Sequence, residues 1–229
     1  MISALDPSVR RELSSLPGTL AEKVAGHLIM AGRLMEDDPE LARTHALTAH
    51  DLAPRIVAVR EALAIAAYRD GDYRTAIREA RTVRRMSGDD TWLPMIADCE
   101  RGLGKPDRAL DLLAETDLTR LPHDVWAECL MVQSGARTDL GQLEAAVAVL
   151  EVDQLLRTRS RNEWASRLRT AYAQALRNVG RDAEADRWER SALATDAGPG
   201  PDADTRAREL QELEILDVAV EDAEARDTD

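Results

Sequence analysis

The chain has 229 residues, of which 44% are hydrophobic, 32% charged and only 3% aromatic, with no phenylalanine. Its formal net charge of -13 argues against a general electrostatic attraction to nucleic acid or anionic lipid. Two cysteines, Cys99 and Cys129, are too few for a disulfide framework or a four-ligand metal site, and no apolar run is long enough to span a membrane.

With so few aromatics the core falls to Leu, Val, Ile and above all Ala, whose small side chains let helices approach closely. Strand-type alternation is not sustained anywhere, so the expected class is all-α. The negative charge is unevenly placed: residues 196–229 carry twelve acids against three arginines. The start lacks the basic region and apolar run of a secretion signal, so the expected setting is soluble and cytoplasmic. Basic charge is carried almost wholly by Arg, which with abundant Ala resembles the composition of a high-GC bacterial protein.

In chain order, Asp6-Pro7 supplies an N-cap and a first-turn proline for a lead helix ending near Pro17, giving an N-terminal segment 1–18. Thr19-Leu20-Ala21-Glu22 reads as a capping box that opens a helix running to about Glu36. Its partner begins at Asp38-Pro39 and ends before Pro54. The next pair covers about 57–70 and 73–86, with Gly71-Asp72 as the turn. Ala76, Ile77, Ala80 and Val83 share the core face of its second helix. Arg74, Arg78, Arg81 and Arg85 form a basic ridge on the opposite face, widened by Arg84. Further turns fall at Gly104, Gly141 and Gly180, with Pro106 at a helix start. Residues 151–163 read as an extended helix end plus loop, rich in arginine at Arg157, Arg159 and Arg161. Trp92, Trp126 and Trp164, spaced 34 and 38 apart, read as plugs in the seams between neighbouring pairs. Residues 196–204 have linker composition. Residues 205–229 read as an acidic amphipathic C-terminal helix and tail, with a stripe of Leu210, Leu213, Leu216, Val220 and Ala223.

One pattern runs through these elements: a helix, a tight polar turn, then an alanine opening a second amphipathic helix. The alanines Ala42, Ala76, Ala109, Ala146 and Ala185 lie 34, 33, 37 and 39 residues apart, and Gly71, Gly104, Gly141 and Gly180 mark the turns of the last four units. A period near 34 built from paired helices predicts a stacked α-solenoid rather than one closed core.

The residue twelve before each alanine reads Met30, Ala64, Ala97, Ser134 and Ala173, small in four of five. This arrangement resembles the tetratricopeptide repeat family, most closely at Gly71-Asp72-Tyr73-Arg74-Thr75-Ala76-Ile77. The resemblance covers roughly residues 19–195 and implies a right-handed solenoid of about five hairpins. Its implied function is protein recognition in the groove lined by the first helices. Groove-facing positions carried over from it are Glu61, Ile65, Tyr68, Asp98, Arg101, Met131, Gln174, Arg177 and Asn178. The family's clamp for a C-terminal carboxylate is not reproduced: its positions read His27, Ala31, Ala62, Thr91 and Met95.

Catalytic signals are sparse. His45 and His50 are five apart, off the spacing of a helical metal pair, and His27 and His123 read as isolated. Gly102-Leu103-Gly104-Lys105 imitates part of a phosphate loop, but Pro106 replaces the metal-binding hydroxyl and no strand precedes it. The expectation is a non-catalytic scaffold with no cofactor and no metal, binding a peptide or helix of a partner protein. Its own acidic segment would act as a removable occupant of the groove or a cap on the last unit. The alternative is a factor associated with RNA or DNA through the Arg74/Arg78/Arg81/Arg85 ridge.

Overall fold

A computed structural model describes residues 2–158 and 162–196, and every regular element among them is helical. After a short turn at Ile2–Ala4 come α1 (Pro7–Leu13), α2 (Gly18–Leu34), α3 (Pro39–Leu52), α4 (Val57–Arg69), α5 (Tyr73–Ser87), α6 (Leu93–Gly102) and α7 (Pro106–Ala114). A 3-10 turn at Leu118–Arg120 leads to α8 (His123–Asp139), α9 (Leu143–Leu150), α10 (Asp153–Leu156), α11 (Glu163–Asn178) and α12 (Asp182–Asp196). None of these helices is long and apolar enough to cross a membrane.

Helix starts follow local chemistry. Carboxylates of Asp6, Asp38 and Asp72 accept from the backbone N–H of Ser8, Leu41 and Thr75, satisfying donors that the first turn leaves free. The Thr19 capping box is not used. Pro17, held at φ -54° and ψ 139°, is the N-cap, and α2 begins at Gly18, so Thr19 already lies inside the first turn. Helix ends are set by backbone handedness. Gly104, Gly141 and Gly180 take φ of 72°, 73° and 77°, and the next residue's N–H returns to the carbonyl of Glu100, Arg137 and Leu176 respectively. That six-to-one bond closes each first helix and requires the left-handed conformation that only glycine adopts cheaply.

The substantial packing is between helices close in chain order. The pairs α2 with α3, α4 with α5, α6 with α7, α8 with α9 and α11 with α12 lie together, and α3 meets α4, α5 meets α6 and α7 meets α8. Alternate helices also touch: α2 with α4, α6 with α8, and α8 with α11. The buried clusters are distributed in the same way. One joins α1 to α4, a smaller one lies among α2, α3 and α4, the next joins α4 to α6, another α6 to α8, and the last α8 to α12. At the heart of the pairs sit Ala42, Ala76, Ala109, Ala146 and Ala185, each 0–1% exposed. Ser134 shows how close the backbones come: its hydroxyl donates to the carbonyl of Ala146 at 2.9 Å.

Residues 151–158 differ from a simple helix extension. α9 stops at Leu150, and the four-residue α10 turns inward, burying Leu155 and Leu156 against Leu168 and Leu176 of α11. Burial of these two leucines holds the segment on the core. Arg169, 7% exposed, fastens it by donating to the carbonyls of Leu156 and Thr158 and to the Thr195 hydroxyl near the end of α12. Arg157 pairs with Asp153 at 3.0 Å, while Arg159 and Arg161 lie outside the described residues. Trp126 is buried between α8 and α11, and half-buried Trp164 packs on the same cluster. Cys99 and Cys129 are fully buried, and burial pushes both thiols up to about 12. The expected linker starts one residue later than 196, because Asp196 still belongs to α12; residues 197–229, with the acidic segment and its Leu210, Leu213 and Leu216 stripe, lie outside the described residues.

Candidate functional site

The groove positions drawn from sequence are not independent side chains: several are joined into a polar chain crossing successive first helices. On α4, Glu61, Ile65 and Tyr68 follow helical spacing and share a face, each partly buried. The Tyr68 hydroxyl donates to Asp98 Oδ2 on α6 at 2.6 Å, and burial together with that bond holds the phenol well above its ordinary range. Arg101, one turn further along α6, donates from Nη1 to Asp98 Oδ1 and from Nε to Asp139 Oδ2 on α8, both at 2.7 Å. Burial opposes the charge of Arg101, but the two carboxylates outweigh it and raise its pKa.

The guanidinium of Arg101 packs against α8 at Gly135. A Cβ at that position would stand 2.8 Å from its Cζ and Nη1. A glycine inside a helix costs about 1 kcal/mol relative to alanine, and here the missing side chain is the space the arginine fills.

A second crosslink continues the line from α8 to α11. Arg167 grips both oxygens of Glu128, with Nη1–Oε1 at 2.6 Å and Nη2–Oε2 at 3.0 Å. Burial, which raises the Glu128 pKa, prevails over the arginine, which lowers it. Met131 lies one turn from Glu128, half-buried against the last core cluster. Gln174 and Asn178 bond each other at 3.1 Å along the exposed side of α11.

Arg177 departs from the groove assignment. It sits eight residues before its repeat alanine, as Tyr68 and Arg101 do before theirs. Its guanidinium nevertheless turns to its own partner helix, pairing with Asp186 at 3.0 Å and with Glu189 on α12. Among the described residues no first helix follows α11, so the acids of α12 capture the side chain that its counterparts extend sideways.

The basic ridge is largely paired. Arg78 bonds Glu79 at 2.9 Å and Arg81 bonds Glu100 at 3.2 Å, each carboxylate lying under the surface. Arg85 bonds the Thr82 hydroxyl, the neighbouring Arg84 bonds Asp90, and Arg74 is exposed. Glu79, 2% exposed, also receives Arg60 of α4 at 2.5 Å, with His50 of α3 at 3.7 Å, so one carboxylate organises three consecutive helices.

His27 is not isolated. Its Nδ1 lies 3.0 Å from Nδ1 of His45 across the α2–α3 pair, at the edge of an apolar surface pocket of about 660 Å³ that also includes Ile29 and Met30. No group of three or more His, Cys, Asp or Glu suited to a metal occurs among the described residues.

Asp139, Gly135, Glu128 and Arg167 belong to this surface and are absent from the sequence-derived set. The available signal is their separation: Arg101 to Asp139 spans 38 residues and Glu128 to Arg167 spans 39, close to the local repeat spacing. Each pair joins opposite charges on two helices that pack together, α6 with α8 and α8 with α11. No protein-family model matches the chain, and no curated protein is significantly similar to it.

Proposed function

We propose that this chain is an α-solenoid of five tetratricopeptide-like hairpins acting as a non-catalytic scaffold, which receives a peptide or helix of a partner protein across its first helices. The observation that carries this reading is the hydrogen-bonded line Tyr68–Asp98–Arg101–Asp139, resumed by Glu128–Arg167. It ties α4, α6, α8 and α11 side by side and leaves Ile65 and Met131 half-buried on the same face. A surface held in place before the ligand arrives loses less conformational entropy on binding, which is how a shallow polar groove gains useful affinity. The burial of the five repeat alanines and the chain-order packing of the pairs support the solenoid.

The alternative through the arginine ridge has less support, because Arg78 and Arg81 are engaged by Glu79 and Glu100 beneath them. Selection of a displayed random peptide library tests the two readings together. Wild type should enrich peptides that an Ile65→Asp/Met131→Asp variant fails to retain. Equal enrichment by both proteins, or salt-sensitive binding of RNA or DNA lost on Arg78/Arg81/Arg85→Ala, would displace the scaffold reading.

A further inference from the structure

We propose that the first-helix face selects a basic peptide, with an arginine or lysine of the ligand received by Glu61 and its aliphatic stem lying over Ile65. This rests on the scaffold reading and assigns the chemistry of the ligand.

The charge inventory of the face argues for it. Four carboxylates lie along it, at Glu61, Asp98, Glu128 and Asp139, against three guanidiniums, Arg69, Arg101 and Arg167. All three guanidiniums are committed, Arg69 to Glu36 at 3.2 Å. Arg101 is shared between two acids, and Arg167 holds both oxygens of one. An incoming carboxylate would have to displace one of these pairs and enter a net-negative surface. The acidic segment 205–229 of this chain is therefore the wrong charge for this face.

The face also shows which group it accommodates. Twice a guanidinium lies across a first helix against carboxylates, once over the bare backbone of Gly135. Among the described residues Glu61 has no such complement. The charges that raise its pKa are acids, Glu12 of α1 and Asp89 beyond α5, and Glu12 is itself fixed by accepting the backbone N–H of Ala58 at 3.1 Å. A partly buried carboxylate set among like charges gains most from an incoming cation, since binding relieves repulsion as well as forming a pair. Ile65, one turn along the same helix, offers apolar cover to the methylenes of Arg or Lys.

The test uses the displayed random peptide library on the full chain, with Glu61→Lys as the diagnostic variant and Glu115→Lys, at the exposed end of α7, as control. Peptides enriched by wild type should be rich in Arg and Lys. Their affinity should fall about tenfold in Glu61→Lys, the scale of exchanging one solvent-exposed ion pair for a repulsion, and stay unchanged in Glu115→Lys. Enriched peptides that are neutral or acidic, yet still depend on Ile65 and Met131, would overturn the basic specificity and leave the scaffold reading standing. Enrichment independent of Ile65 and Met131 would overturn both. Equal losses in the two lysine variants would assign the effect to overall charge and also overturn the role of Glu61.

Discussion

Arg101 rests on Gly135: the guanidinium of one first helix fills the space left by a missing side chain on the next, and Asp139 one turn along fixes it there. The glycine and the arginine are thus parts of one joint between α6 and α8. Gly135→Ala sets a helix-propensity gain of about 1 kcal/mol against displacement of the arginine. Because the obstructing atoms are the end of a flexible side chain, net stability should change by no more than about 1 kcal/mol. The coupling between Arg101 and Asp139, measured by a double-mutant cycle with Arg101→Gln and Asp139→Asn, should shrink in the alanine background.

Ala76 tests the seam of the second pair. It is fully buried between α4 and α5, where a longer side chain has no room and a charge has no solvent. Ala76→Arg should destabilise by about 3 kcal/mol or more through overpacking and charge burial, read as a lowered denaturant midpoint.

Glu79 tests the polar joint among three helices. Glu79→Gln leaves Arg60 facing a neutral amide and should lose about 2 kcal/mol in chemical denaturation, although the packing volume barely changes. Substituting Glu115, exposed at the end of α7, should cost almost nothing in the same measurement.

Glu61 carries a pH signature. Burial, then Glu12 and Asp89, raise its pKa above 4.5, so the folded state binds the proton more tightly than the unfolded chain does. Its favourable contribution is complete below 4.5 and is lost as pH rises through the higher folded value; at neutral pH the ionised carboxylate works against folding. Glu61→Gln should therefore raise the melting temperature at pH 7 relative to wild type, and the advantage should narrow as the pH falls through the carboxylate range.

The helical class was legible because it is written in local chemistry. Asp38-Pro39 and Gly71-Asp72 name helix starts that lie at Pro39 and Tyr73, and Gly104 and Gly141 stand at the left-handed turns. Local chemistry also misled once: Thr19 and Glu22 have the spacing of a capping box, but the fixed dihedral of Pro17 starts the helix earlier. The surface was legible only in part. Helical periodicity shows that Glu61, Ile65 and Tyr68 share a face, but not which neighbouring side chain Tyr68 will reach. That depends on the rotation and spacing of the next helix, which the sequence does not state locally. Hence Tyr68, Asp98 and Arg101 could each be placed on a helix face, while the links of Arg101 to Asp139 and Gly135 and of Glu128 to Arg167 could not be read. Arg177 has the register of Arg101, yet its partners are Asp186 and Glu189 on α12, which periodicity does not name. The contact of His27 with His45 likewise joins different helices and follows no motif.

Everything proposed for the binding face depends on first helices lying side by side in chain order. Distances between spin labels test this most directly, with cysteines placed at Arg33, Arg69, Gln142 and Asn178 in a protein whose Cys99 and Cys129 are replaced. Separation from Arg33 should increase in the order Arg69, Gln142, Asn178, each intervening first helix adding about 8–10 Å. A label at Asn178 as near to Arg33 as the one at Gln142, or nearer, would mean that the helices close into a globule instead of forming a line.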